Sequence, residues 1–195
     1  MNALERALRE FLAARPSHAG IALVGGLAVS ARTEPRFTRD LDFAVALASD
    51  VDAEQYVLSL RHAGYELAAA LEQAKHTRLS TVRLRRGGKG PFIDLLFAAT
   101  GIEKEIVAAA ELLEIVNGAQ VEVAQVGHLI AMKLIARDDK LRPQDRADLL
   151  AISKVADDVE WARAEAAVRL VEERGFQRTR DLVAALAEWR LGASK

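Results

Sequence analysis

Two aspartates, Asp40 and Asp42, stand two positions apart where the chain enters the apolar run Phe43-Ala44-Val45-Ala46-Leu47. On a strand, residues two apart point to the same face, so both carboxylates reach one point in space. Two carboxylates so close repel unless something neutralises them. A Mg²⁺ ion, a hard cation that takes oxygen ligands and keeps water and substrate phosphate in its shell, is the natural neutraliser. A third carboxylate, Asp94, lies inside Pro91-Phe92-Ile93-Asp94-Leu95-Leu96-Phe97, which is otherwise apolar. Burying a lone carboxylate costs several kcal/mol, so a metal or a basic partner is expected for it. Three carboxylates on neighbouring strands can hold two divalent ions about 3.5–4 Å apart, the geometry that stabilises in-line phosphoryl displacement. Gly25-Gly26, between an apolar strand and a helix, lets backbone approach a phosphate where a helix start offers free N–H groups. Taken singly, these features suit a solvated edge strand and a tight turn; together they point to phosphate meeting metal.

The elements that must position these groups follow from periodicity. Leu4, Ala7, Leu8, Phe11 and Leu12 predict a helix over 3–14, stopped at Arg15-Pro16-Ser17. A short buried strand over 21–24 leads through the glycine pair into a helix over 27–32, and a second strand covers 40–47. Ser49-Asp50 caps a helix over 51–63 that ends at Gly64, and strands follow near 66–72, 79–86 and 91–98. A helix over 103–110 precedes a hairpin marked by Asn117-Gly118 between 113–116 and 120–123. From Gln125 onward the pattern is helical, with Pro143 opening one helix and Trp161 and Trp189 at core positions of later ones. The fold class expected is α+β: a mixed-sheet domain over 1–124, then a helical part over 125–195 packed against it.

Composition narrows the chemistry. An apolar fraction of 51% over 195 residues supports a real core, and 27 Lys+Arg against 28 Asp+Glu leave a net charge of -1, so attraction to nucleic acid must be local. The absence of cysteine excludes a disulfide framework, a thiol nucleophile and a Cys-ligated zinc site. Charges punctuate Met1-Asn2-Ala3-Leu4-Glu5-Arg6, and no later run approaches the roughly 18 apolar residues of a membrane span, so no membrane association and a cytoplasmic location are expected. One local patch exists: Lys75, Arg78, Arg83, Arg85, Arg86 and Lys89 occur between Gln73 and Ile93 with no acidic residue among them. It reads either as a solvated, edge-protecting hairpin or as a surface for a polyanion, with Arg83 and Arg85 on one strand face. Gly87-Gly88-Lys89-Gly90 lacks the spacing of a phosphate loop, and His18, His62, His76 and His128 have no metal-ligand spacing.

Gly25-Gly26, thirteen residues, then Asp40-Leu41-Asp42, with an isolated Asp94 on a later strand, resembles the polymerase-β-type nucleotidyltransferase superfamily. Arg36-x-Thr38-x-Asp40-Leu41-Asp42 is similar to the AbiEii/AbiGii group of toxin nucleotidyltransferases within it, as are Lys133-x-x-Ala136 and the later Arg142-x-x-Asp145-x-x-Asp148-Leu149. Gly26 replaces a serine common in the superfamily, so phosphate contact there falls to backbone, and Gln144 replaces a lysine common in the subgroup. The resemblance implies a nucleotidyltransferase-type sheet and transfer of a nucleoside monophosphate from an NTP to an acceptor hydroxyl, with pyrophosphate leaving. It implies Asp40, Asp42 and Asp94 as ligands of Mg²⁺, two ions being expected, with Asp94 completing the site or assisting deprotonation. Lys133 would contact the triphosphate, and Gly25, Gly26, Arg39, Arg83, Arg85 and Asp145 complete the substrate-binding set, although Asp145 and Asp148 also suit simple helix stabilisation. RNA or tRNA as acceptor and a cognate antitoxin as partner are implied likewise. The alternatives are a small-molecule or protein nucleotidyltransferase and a nucleotide-binding module without turnover.

Overall fold

Strand β1 (Gly20–Val24) is apolar along its length and buried from Ile21 onward, which places it in the interior of a sheet. The computed structural model describes residues 2–73, 78–88, 90–116, 118–138, 143–178 and 180–193; the expectations placed on Lys75, His76, Lys89, Asn117 and Arg142 lie outside them. Helix α1 (Ala3–Ala14), capped by the Asn2 side chain, precedes β1, and α2 (Gly25–Arg32) follows it. Next come β2 (Leu41–Ala46), α3 (Asp50–His62), β3 (Tyr65–Gln73), β4 (Arg78–Arg86) and β5 (Ile93–Leu96). Ser49 and Asp52 close a reciprocal capping box on α3, as the Ser49-Asp50 signal anticipates. Helix α4 (Glu103–Ala108), the β6 (Glu111–Val116) and β7 (Ala119–Val123) hairpin, and helices α5 (Val126–Ala136), α6 (Pro143–Val155), α7 (Asp158–Glu173) and α8 (Leu182–Ala193) complete the chain. The α+β class is thus present, with a mixed sheet of seven strands in the order β3-β4-β5-β2-β1-β7-β6.

Three of the boundaries that differ from expectation bear on the site. α2 begins at Gly25 rather than Leu27, because Gly25 takes φ +65° and turns the chain directly out of β1. β2 starts at Leu41, whose N–H bonds to the Phe92 carbonyl, so Asp40 immediately precedes the strand. β5 is cut to 93–96 because the chain then bends around Glu103, whose buried carboxylate accepts the N–H groups of Ala99 and Thr100 and the Thr100 hydroxyl.

Alternation sorts β2 into two faces. Phe43 points into the core and meets Phe11 of α1 at 4.7 Å between ring centroids, while Asp42 faces the opposite way. On that opposite side lies α5, which packs against α2, α6, α7 and α8 and is buried through most of its length. Its approach to α7 is close enough that a Cβ on Gly127 would lie 2.3 Å from the Glu160 carbonyl oxygen. A helix so enclosed cannot tilt freely, so Lys133 on it has a fixed position. Among the described residues no helix is long and apolar enough to cross a membrane.

Candidate active site

Pairing register brings the carboxylates together. Val24 is opposite Asp42 in the antiparallel β1–β2 pair, Asp42 is beside Asp94 in the parallel β2–β5 pair, and Asp94 is opposite Arg83 in the antiparallel β5–β4 pair. Directly opposed residues share a sheet face, so Asp42, Asp94 and Arg83 form one row across three strands. Gly25 closes the row: a Cβ there would lie 2.1 Å from Asp42 Oδ2, so the α2 start can sit on the carboxylate only without a side chain. No side chain caps α2, and Val24, Gly25 and Gly26 all line the cavity above the sheet, which leaves that helix start open to a ligand.

The charges in this row are unequal. Burial pushes the Asp42 carboxyl up to about 7, and repulsion from Asp94 and Asp40 adds to the effect against the opposing pull of Lys133 and Arg83. Asp94 is already neutralised: Arg83 donates Nε to its Oδ1 at 2.7 Å and Nη2 to its Oδ2 at 2.6 Å. Those two bonds hold the guanidinium more firmly in its charged form than usual. Of the two partners foreseen for Asp94, metal or base, the structure therefore contains the base. Arg83 correspondingly lies across the site instead of on an outward hairpin face, with Nη2 also 3.8 Å from Asp40. Among the described residues no cluster of three His, Cys, Asp or Glu is gathered as a metal cage. The donor set fits one divalent cation at Asp40 and Asp42, two hard oxygen donors of which Asp42 is half-buried and strained by repulsion. A second ion at Asp94 would have to displace Arg83.

Opposite the sheet, Lys133 donates Nζ to Asp145 Oδ1 at 2.7 Å and lies 2.7 Å from Asp148 Oδ2. Arg36 grips Asp148 from the other side, Nε to Oδ1 at 2.6 Å and Nη2 to Oδ2 at 2.7 Å, and Gln144 adds a bond at 3.2 Å. Burial alone would raise the Asp148 carboxyl, but its bonds to Arg36 and Lys133 outweigh that and hold it below the ordinary range. Arg36 in turn packs on the glycine turn, where a Cβ on Gly26 would lie 2.7 Å from its Nη2. Asp145 and Asp148 are therefore partners of half-buried cations and do more than meet the dipole of α6.

All these groups line one cavity of about 630 Å³. Gly25, Gly26, Arg39, Asp40, Asp42, Asp94, Lys133, Asp145 and Arg83 are all on its wall, which unites the expected set apart from Arg85. Arg85 stacks over Phe92 at 5.3 Å, Arg78 pairs with Asp50, and Arg86 lies over Tyr65, so these three residues serve separate local contacts. Sequence reasoning gave no role to Arg36, Thr38 or Arg178, which also line the cavity, and understated Asp148. For Asp148 a signal existed, since residues three apart on a helix share a face and Asp145 was already singled out. For Arg36 the alternation Arg36-x-Thr38-x-Asp40 was the available cue.

No curated protein matches the chain. Among solved structures, the antibiotic-resistance factor ANT(2'')-Ia is 16% identical with a TM-score of 0.52, the match covering 100% of this chain and 97% of that one. The lincosamide antibiotic adenylyltransferase LnuA, in its lincomycin-bound crystal structure, is 12% identical with a TM-score of 0.49 over 79% of this chain and 96% of that one. The first likeness is one of fold. The model of the nucleotidyl transferase AbiEii toxin family, of type IV toxin–antitoxin systems, matches residues 6–191, and the chain belongs to that family of nucleotidyltransferases.

Proposed function

We propose that this nucleotidyltransferase moves a nucleoside monophosphate from an NTP to a hydroxyl of an RNA acceptor, tRNA included, with Mg²⁺ as its cation, and that it acts as the toxin partner of a cognate antitoxin. The observation that carries the reading is the convergence of an uncapped glycine helix start, the Asp40 and Asp42 carboxylates and Lys133 on one cavity. Asp40 and Asp42 would hold the cation, which when bound neutralises the phosphates and polarises the α-phosphorus. The acceptor hydroxyl gives up its proton to solvent water as its oxygen forms a bond to the α-phosphorus, the bond to the β-phosphate oxygen breaks, and pyrophosphate leaves. The backbone N–H groups of the α2 start receive phosphate oxygens. Lys133, held by Asp145 and Asp148, faces the charge that grows on the departing pyrophosphate. Both oxygens of Asp94 accept bonds from Arg83, so its first duty in this scheme is to orient that guanidinium rather than to take the acceptor proton.

Incubating the protein with each α-labelled NTP, Mg²⁺ and total RNA tests the reading. Label on RNA is the expected result; label on a small molecule or on protein would replace the acceptor, and nucleotide binding without transfer would remove the activity. Lys133→Met should lower turnover about 10²-fold, on the order of 2.7 kcal/mol, with a smaller change in NTP affinity. Asp145→Asn should lower turnover too, because it frees the ammonium to move, and the double variant should be no slower than Lys133→Met alone. Independent, multiplying losses in the double variant would show that Asp145 does not act through the lysine. Arg85→Ala should reduce the slope of log RNA affinity against log salt by about 0.7 if its charge reaches a single-strand phosphate. Arg85 is the cleaner probe than Arg83, whose removal would also strip Asp94 of its partner.

A further inference from the structure

A second cavity, of about 660 Å³, lies against the first and shares Arg36, Thr38, Arg39 and Asp40 with it. The segment leading into Asp40 is thus a wall between two spaces of different chemistry. One is the charged catalytic cleft; the other is lined chiefly by apolar groups, Leu4, Leu27, Phe37, Phe92 and Val116 among them. Phe37 is 79% exposed, the highest value among the large apolar residues described, and lies three residues from Asp40. Phe92 is two residues from Asp94, and its carbonyl accepts the Leu41 N–H at the start of β2.

Each ring carries a guanidinium. Arg39 Cζ lies 5.7 Å from the Phe37 centroid, and Arg83 and Arg85 lie 4.9 Å and 5.3 Å from that of Phe92. Aromatic faces interleaved with arginines bind single-stranded nucleic acid, since every base has a face to stack and every linkage has a phosphate to pair. Burial cannot explain Phe37, and a duplex would hold its bases out of reach of such rings. An RNA whose terminal hydroxyl enters the catalytic cleft must pass the rest of its strand along a neighbouring surface, and this cavity adjoins the cleft at Asp40.

We infer that the cavity between Phe37 and Phe92 is the acceptor subsite, where an unpaired base next to the reacting hydroxyl stacks on the exposed Phe37 ring while Arg39, at the junction of the two cavities, meets the phosphates. The inference rests on the RNA reading of the acceptor and adds where, and by which residues, the strand is held.

The test measures binding of a labelled single-stranded RNA oligonucleotide by fluorescence anisotropy, together with the kinetics of labelling of that same oligonucleotide. Phe37→Ala should weaken RNA binding about 10-fold or more and raise the KM for RNA similarly, with the KM for NTP unchanged. Phe37→Trp, which keeps a stacking face, should bind as the wild type does or more tightly. A duplex RNA should show no dependence on residue 37. Wild-type protein that labels RNA while Phe37→Ala binds and labels it equally well would overturn the subsite alone and give the exposed ring to a protein surface instead. Wild-type protein that neither binds nor labels RNA would overturn the acceptor reading and the subsite with it.

Discussion

Asp42→Asn is expected to lose nucleotidyl transfer by about 10³-fold or more and, without metal, to melt at a higher temperature than the unaltered protein. The two effects have one cause. The carboxyl is half-buried beside Asp94 and Asp40, so its ionisation, which a cation requires, is unfavourable while no cation is bound. Its folded pKa, about 7, is above the ordinary 3.8, so its contribution to stability is complete below the lower value and is lost as pH rises through the upper one. The metal-free protein should therefore lose stability as pH climbs between about 4 and about 7, by at most about 4 kcal/mol. The amide of the variant has no such cost, and the gap between the two proteins should widen across that interval and level off above it. His128, buried and pushed down to about 4, works in the opposite direction, but it is present in both proteins and cancels in the difference. Added Mg²⁺ should stabilise the wild type and not the variant, since only the former gains a ligand. Thermal denaturation across pH, with chelator and with Mg²⁺, reads all of this. Equal melting curves at every pH would mean that Asp42 is not forced toward its protonated form, and a Mg²⁺ response retained by the variant would move the cation elsewhere.

Asp148→Ala should be the most damaging single change to stability, about 3–5 kcal/mol. Asp148 is 1% exposed and its oxygens are shared by Arg36, Lys133 and Gln144. Removing it leaves two cations in the protein with one carboxylate, Asp145, described at Lys133 and the Arg36 guanidinium without its bidentate partner. The effect should spread to the phosphate turn, because Arg36 packs on Gly26. Its pH dependence is opposite to that of Asp42: a carboxyl held below its ordinary range stabilises at higher pH, and that contribution is lost as pH falls through the folded value. Chemical denaturation of Asp148→Ala, and of the paired replacement Arg36→Met with Asp148→Leu, separates structure from catalysis. The apolar pair should recover most of the stability, as buried ion pairs often exchange for packed side chains at little cost, yet stay slow in transfer because Lys133 has lost one anchor. A paired variant with full turnover would show that Lys133 needs no help from Asp148.

The elements were legible because their signals are local. Apolar alternation around Asp42, the glycine pair after a buried strand, Ser49 before α3 and Pro143 at the start of α6 each act over a few residues, and all produced the element expected. The same locality explains the boundary errors at Gly25, Asp40 and Phe97. Each depends on what a distant segment offers: Asp42 beneath Gly25, the Phe92 carbonyl beside Leu41, the Glu103 carboxylate below Thr100.

By itself the sequence determined on which kind of element each candidate side chain is carried, because side-chain period and capping are properties of neighbouring residues. Only the tertiary structure decided which charges neutralise one another. Arg83 meets Asp94 through the register of two strands, and Arg36 meets Asp148 across 112 positions through the docking of α6 on α2. Pairing of buried charge depends on distances of a few ångströms set by packing, and no spacing along the chain encodes those. For that reason Asp94 was expected to have a partner that could not be named, Asp148 was undervalued, and the cavity beside Phe37 came into view only once α1, the loop into Asp40 and the segment before β5 stood next to one another.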